Sequence, residues 1–203
     1  MGQGKIEVNH GKVVKELKRQ MLVPKGLERS QVRKLLREID LRNDIRSKAI
    51  FMLFLHTGCR VSDLVQIELQ DLMISERAGS VVFRNGKGSK ERQVPLTVEC
   101  RKALQEYLSV RPPVNSQKLY IGERGPLSDV GVRSLCNKYS CICGFKIHPH
   151  LLRHSFAHQF LKDTNNDIVA LAQILGHSDI NSSKIYSQRN GRDLAEVVGR
   201  LSY

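Results

Sequence analysis

Four side chains in the last third of the sequence could act together on one phosphate group, namely His150, Arg153, His177 and Tyr186. His150 and Arg153 are three residues apart, so on a helix they share one face, and a helix N-terminus adds free N–H groups that suit a phosphate. Arginine and histidine can bind phosphate oxygens, and a tyrosine hydroxyl can attack the phosphorus. Each of the four has an ordinary structural explanation when taken alone. The chemistry therefore depends on what the rest of the chain supplies.

Two predicted helices position these side chains. The first begins at Pro149, which suits a first turn, and its apolar residues are Leu151, Leu152, Ala157 and Phe160. The second follows the helical spacing of Ile168, Leu171, Ala172 and Leu175. Gly176 ends that helix, and His177 comes directly after it. The predicted phosphate ligands therefore lie at helix ends.

Arg60 adds a second arginine from an earlier part of the chain. It follows a predicted helix that is apolar nearly all round and ends at Thr57–Gly58, and such a helix should be the buried centre of the domain. Arg60 would then project from a rigid support. The alternative is an ordinary surface arginine paired with Asp63.

Lys87 lies in a basic, glycine-flanked loop, residues 85–90, between two predicted strands. A hairpin would anchor the base of this loop while the lysine moves. The alternative is a solvated loop tip or a nonspecific phosphate contact. Three strands are predicted in this region, at Leu72–Ile74, Ser80–Phe83 and Arg92–Leu96.

The remaining pattern is helical, so the predicted fold is mainly α with a small three-stranded antiparallel sheet. Residues placed to cap predicted helices are Ser30, Asn43 or Asp44, Ser62–Asp63, Thr97 and Ser128. Leu119–Ile121 and Gly125–Pro126 are assigned to a loop. Residues 1–24 are predicted to be a basic linker or the remnant of an upstream domain, which the family resemblance described below makes a core-binding domain. Residues 25–203 are predicted to form one domain, catalytic by the same resemblance, with a tail at 187–203.

Charge and composition favour a polyanionic partner. The 203 residues carry a formal net charge of +13, which favours nucleic acid first and an anionic membrane surface second. No apolar run reaches a membrane-spanning length, and the N-terminus has no signal-peptide pattern. Five cysteines without secretory features predict reduced thiols and a cytoplasmic protein.

The cysteines and histidines before the first site helix raise the question of zinc. They are Cys136, Cys141, Cys143, His148 and His150. Their C-x-C and H-x-H spacings do not match the usual zinc spacings, so free, buried or partly buried thiols are predicted instead. No metal site is predicted.

Four segments together resemble the tyrosine recombinase (phage integrase) family. They are HTGCRVSDLVQIELQDL, RNGKGSKERQVPL, HPHLLRHSFAHQFL and LAQILGHSDINSSKIY, and the resemblance covers nearly all of residues 25 to 190. Any one motif is weak, but six polar residues in the family's order are specific. The resemblance implies a prokaryotic site-specific DNA recombinase, of integrase, transposon or plasmid resolvase type, that works through a 3′-phosphotyrosine intermediate.

The resemblance also implies a role for each of the six residues. Tyr186 is the nucleophile, and Arg60 and Arg153 bind the nonbridging phosphate oxygens. His150 accepts the tyrosine proton, His177 hydrogen-bonds the phosphate and Lys87 protonates the leaving 5′-oxygen. No cofactor is required, because two arginines and a lysine supply the positive charge and the ester conserves the bond energy without ATP. Further DNA contacts are predicted at Arg84, Lys90, Arg92, Arg133 and Lys146.

The expected partners are a double-stranded recombination site and further copies of the chain. The segment 192–203 has an apolar stripe and is predicted to dock on a neighbouring protomer of a dimer or tetramer, or else on its own domain. Only 24 residues precede the catalytic domain, where family members carry a DNA-clamping domain, so a fragment or a minimal member is expected. Two alternatives stay open: a type IB topoisomerase and a noncatalytic DNA-binding regulator of the same fold.

Overall fold

The computed structural model describes residues 26–84 and 91–176, which form seven α-helices and five short strands. The helices are α1 (Arg29–Leu41), α2 (Ile45–Thr57), α3 (Val61–Gln66), α4 (Val98–Val110), α5 (Asp129–Cys143), α6 (Pro149–Asp163) and α7 (Ile168–Leu175). The strands are β1 (Leu72–Ile74), β2 (Gly79–Phe83), β3 (Arg92–Pro95), β4 (Ile121–Gly122) and β5 (Gly125–Pro126). The predicted fold class is confirmed. Among these helices, none is long and apolar enough to cross a bilayer.

Helix α2 is the centre of the fold, as predicted. It packs against α1, α4 and α6, and its fully buried residues include Ile50, Phe51, Leu53 and Phe54. Asp44 caps its start by accepting a hydrogen bond from the Ser47 N–H at 3.1 Å. Gly58 ends it in the left-handed conformation, with a φ of 59°. The turn after α2 therefore starts from a helix that is buried on nearly all sides.

The three-stranded sheet is antiparallel, in the order β1-β2-β3. Its inward face buries Val81 and Phe83 of β2 and Val94 of β3. Phe83 pairs with Arg92 in register, so these two residues close the hairpin before the loop. A second sheet of β4 and β5 lies in the segment that we predicted to be a loop. Strands of two residues are too short to show an alternating pattern.

A second apolar cluster fixes α7 against α6. It contains Phe156, Ala157 and Leu161 of α6 and Leu171 and Leu175 of α7. These positions follow the helical spacing of both segments, and α7 ends at Gly176 with a φ of 65°, as the sequence predicts. The burial of this face stabilises a helix of only eight residues, which would be marginal in isolation.

The structure confirms some predicted helix caps and corrects others. Thr97 and Ser128 accept N-cap hydrogen bonds at the starts of α4 and α5. The assignment of Ser30 is wrong, because α1 begins two residues earlier, with Glu28 at the N-cap and a 2.9 Å hydrogen bond from the Glu28 N–H to Gln31. The cap predicted at Ser62–Asp63 is also displaced, because Arg60 is the N-cap of α3. In both cases the third residue of the helix accepts a hydrogen bond from the N-cap N–H.

Candidate active site

Arg60 lies in the turn between α2 and α3, and its main chain is fixed. The Arg60 N–H donates a hydrogen bond to Asp63 Oδ2 at 3.1 Å. That carboxylate also forms a 2.5 Å ion pair with Arg92 Nη2, and the Asp63 side chain is only 1% exposed. None of the hydrogen bonds or ion pairs within 26–84 and 91–176 uses the Arg60 guanidinium. The alternative of a surface pair between Arg60 and Asp63 is therefore wrong, and the Arg60 side chain remains available to a ligand.

Arg153 joins this turn to the end of α7. Its side chain is buried on α6, and Nη1 donates a hydrogen bond to the Gly58 carbonyl at 2.6 Å, across 95 residues of sequence. Nη2 donates to the Leu175 carbonyl at 3.2 Å. Gly58 is two residues before Arg60, and Leu175 is two residues before His177. One guanidinium thus connects the chain segments that carry three of the predicted site residues.

The N-terminus of α6 presents His150 to solvent one turn before Arg153. His148 is the N-cap, and its Nδ1 accepts a hydrogen bond from the Leu151 N–H at 3.2 Å. Burial lowers the pKa of His148, and the nearby Lys146 and His150 lower it further. Pro149 occupies the first turn as predicted. His148 is partly buried and its ring is used as the cap, whereas His150 is exposed, so His150 is the imidazole available at this helix end.

His154 follows on α6, and its environment also disfavours a positive charge. Burial lowers the pKa of His154, and the neighbouring His150, His158 and Arg153 lower it further. Burial and neighbouring cations thus favour the neutral forms of His148 and His154, whereas Arg153 supplies a positive charge on the same helix, which suits a phosphate.

Arg92 is not the surface DNA contact that we predicted. Its side chain is 8% exposed and paired with Asp63, and its guanidinium carbon lies 4.5 Å from the centre of the Phe83 ring. Arg92 faces inward because Arg92 and Val94 occupy alternate, buried positions of β3. That alternation was the available signal in the sequence, but the basic composition of the hairpin pointed to solvent.

The other predicted DNA contacts divide into three groups. Arg84 and Arg133 are exposed and form ion pairs with Asp71 and Asp129, whereas Lys146 is exposed without such a pair among the described residues. The Arg133–Asp129 pair is exposed on both sides and is weak enough to exchange for a phosphate. Asp71 is only 3% exposed, so moving Arg84 to a phosphate would leave a buried carboxylate without its ion pair. Lys87, Lys90, His177, Tyr186 and the tail at 192–203 lie outside the described residues.

The cysteines behave as core residues. Cys59, Cys100, Cys136 and Cys143 are buried, and Cys141 is exposed. Burial raises the pKa of the Cys59 thiol, next to Arg60, to about 12, so it is a poor nucleophile at neutral pH. Among the described residues, no three histidine, cysteine or acidic side chains are grouped to hold a metal ion.

Comparison with known proteins identifies the class. Residues 25–192, which are more than half of the chain, match the family model described as "Phage integrase family". The chain belongs to the phage integrase family, as the sequence motifs indicated. It is 35% identical over 211 residues to the tyrosine recombinase XerC of Thermodesulfovibrio yellowstonii, covering 98% of this chain and 69% of that protein. It is 32% identical over 184 residues to the tyrosine recombinase XerA of Pyrococcus furiosus, covering 89% of this chain and 63% of that protein.

Solved structures agree with this assignment. The crystal structure of XerA recombinase superposes with a TM-score of 0.76 at 27% identity, covering 92% of this chain and 67% of that one. The structure of XerH site-specific recombinase bound to difH substrate gives a TM-score of 0.74 at 25% identity, covering 88% of this chain and 54% of that one. The chain spans about two thirds of the length of the relatives named above (63% and 69%).

Proposed function

We propose that this chain is the catalytic part of a site-specific recombinase that cleaves and rejoins double-stranded DNA through a covalent phosphotyrosine. The observation that carries this proposal is the placement of Arg153. Its guanidinium hydrogen-bonds the carbonyl of Gly58, two residues before Arg60, so the Arg153 side chain reaches the turn that carries Arg60. Two arginines beside an exposed histidine at a helix N-terminus form a site suited to a phosphodiester.

The two arginines have complementary tasks in this proposal. Arg153 is buried and already oriented by the carbonyls of Gly58 and Leu175. Arg60 keeps its guanidinium available for the phosphate oxygens. Both stabilise the charge that develops on the nonbridging oxygens in the transition state, where a preorganised donor contributes most. Both also favour the tyrosinate form of the nucleophile, whose unperturbed pKa is about 10.

Proton transfer completes the proposed reaction. The Tyr186 oxygen attacks the phosphorus, the bond from phosphorus to the 5′-oxygen breaks, and the DNA 3′ end becomes esterified to the tyrosine. His150 takes the tyrosine proton, Lys87 gives a proton to the departing 5′-oxygen and His177 hydrogen-bonds the phosphate. The reverse reaction with a new 5′-hydroxyl joins the strands without ATP, because the ester conserves the bond energy.

Duplex DNA is the proposed substrate. The net charge of +13 favours a polyanion, and the similar XerH recombinase is described as bound to its difH substrate. Several phosphate contacts should make binding strongly salt-dependent, with a slope of about 0.9 in log K for each contact. Assembly into a dimer or tetramer on paired sites belongs to the same proposal.

A suicide duplex tests the proposal. A binding site is first selected from a random pool, and a nick beside the cleavage position then prevents religation. We expect a denaturation-resistant protein–DNA adduct with the wild-type chain and none with Tyr186→Phe, while DNA affinity changes only a few-fold. Tyr203→Phe is the matched control and should form the adduct normally. Binding without an adduct by the wild-type chain would instead indicate a noncatalytic DNA-binding regulator.

A further inference from the structure

Arg92 lies where three parts of the candidate active site meet. It is the first residue of β3, and it pairs in register with Phe83 at the base of the hairpin loop. Its guanidinium also lies over the Phe83 ring, at 4.5 Å from the ring centre. The loop that carries Lys87 therefore begins and ends at a pair that Arg92 anchors in the protein interior.

The first contact of Arg92 beyond the sheet is with Asp63 at the start of α3. Arg92 Nη2 lies 2.5 Å from Asp63 Oδ2, and the two side chains are 8% and 1% exposed. The same carboxylate oxygen accepts the Arg60 N–H at 3.1 Å. Asp63 is thus shared between the main chain of Arg60 and the side chain of Arg92.

The second contact is with the end of α7. Arg92 Nε donates a hydrogen bond to the Ile174 carbonyl at 3.0 Å. A Cβ added to Gly176 would lie 2.9 Å from Arg92 Cδ, so the arginine stem packs directly beneath that glycine. Arg153 hydrogen-bonds the next carbonyl, that of Leu175. Two buried arginines therefore hold the last turn of the helix that precedes His177.

We propose that Arg92 is a positioning residue for the recombinase reaction, locking the hairpin base, the Arg60 turn and the end of α7 into one arrangement. This inference rests on the function proposed above. A guanidinium can donate to Asp63 and to Ile174 in two fixed directions, whereas the ammonium of a lysine is a single point. A buried ion pair often adds little net stability, so geometry explains this pair better than stability does.

Arg101 provides a matched control. It is also a buried arginine, 7% exposed, and its Nη1 donates to the carbonyls of Ser75 and Glu76 at 2.9 and 3.0 Å. These carbonyls lie in the β1–β2 turn, at the opposite end of the sheet from the hairpin loop. Arg101→Lys thus removes hydrogen bonds of the same kind at a position that is distant from the candidate site.

The first test measures single-turnover cleavage of the suicide duplex at saturating protein. Urea unfolding first establishes a temperature at which Arg92→Lys and Arg101→Lys are both folded, and cleavage is measured at that temperature. We expect Arg92→Lys to cleave about 10²-fold more slowly than wild type, as for a small misplacement of catalytic groups, with DNA affinity within a few-fold. Arg101→Lys should cleave at the wild-type rate. A wild-type rate for Arg92→Lys, or an equal loss in both variants, overturns the inference.

Amide hydrogen exchange of the free protein provides a test that is independent of chemistry. Arg92→Lys should speed exchange selectively in α3 and α7, and Arg101→Lys only around residues 72–79. A uniform increase across the domain in Arg92→Lys means that the pair only supports global stability, and overturns the inference. If the wild-type chain forms no adduct but the selective pattern is observed, the proposed function fails, and with it the role of Arg92 in the reaction, while the locking of α3 and α7 by Arg92 stands.

Discussion

Replacing Gly58 with alanine tests how tightly the turn that leads to Arg60 is packed. Gly58 has a φ of 59°, and an added Cβ would overlap Phe156 Cδ1 and lie 2.8 Å from Leu175 Cδ2. An alanine in the left-handed region costs about 1–2 kcal/mol. Overpacking a rigid core costs about 1–3 kcal/mol more. We therefore expect Gly58→Ala to lower the free energy of unfolding by about 2–5 kcal/mol.

Gly144→Ala is the matched control for this prediction. Gly144 ends α5 with a φ of 74°, and beyond its chain neighbours no described atom lies within 4 Å of an added Cβ. This variant should show only the backbone cost of about 1–2 kcal/mol. Urea unfolding followed by circular dichroism measures both free energies in one assay. Equal losses in the two variants would refute the reasoning, because Phe156 and Leu175 would then move aside without cost.

Three further predictions concern individual site residues. Arg153→Ala should lower both stability and cleavage because it leaves buried carbonyls without a donor, whereas Arg60→Ala should slow cleavage about 10²–10³-fold with little loss of stability. Equal stability losses in urea unfolding would contradict this. Lys87→Ala should cleave an ordinary duplex slowly and recover with a 5′-thio leaving group, which needs no proton; equal defects on both substrates would make Lys87 a plain phosphate contact. His148→Asn should weaken the dependence of stability on pH, with His56 and His154, whose pKa values are also lowered by burial, contributing the rest. Burial lowers the pKa of His148 below its usual 6.5, so the unfolded chain takes up a proton first, and stability present above that pH is lost as the pH falls. Asparagine can cap the helix but has no titrating group. If the melting temperature of His148→Asn changed with pH as much as that of the wild type, His148 would be excluded as a source of the pH dependence.

The elements around the site follow from the sequence because each combines an apolar period with an end signal. Pro149 starts α6 and Gly176 ends α7, and the apolar spacing of both helices predicts the faces that meet in the second cluster. Helix α2 is apolar nearly all round, which correctly places it at the centre. These signals are local, so they can be recognised in the sequence without knowledge of the tertiary structure.

The side-chain partners do not follow in the same way, because they join residues that are far apart in sequence. Arg153 bonds to Gly58 across 95 residues, and Arg92 bonds to Asp63 across 29. The sequence pattern paired Asp63 with Arg60, its near neighbour, but the carboxylate pairs with Arg92. Local spacing favours the near partner, whereas packing of β3 beside α3 and α7 selects the distant one.

The two arginines proposed to bind the phosphate are prepared to different degrees before DNA arrives. Arg153 is held by two carbonyls in a buried position, so little rotamer freedom remains to be lost on binding. Within residues 26–84 and 91–176, Arg60 is fixed only through its main chain, and ordering its side chain costs up to about 2 kcal/mol. Free and DNA-bound chains should therefore present Arg153 in the same way, whereas Arg60 becomes ordered when the phosphate binds. Part of the binding free energy is then used to order the Arg60 side chain. Cleavage should therefore depend more strongly on a correctly placed phosphate than it would if Arg60 were held in advance, as Arg153 is.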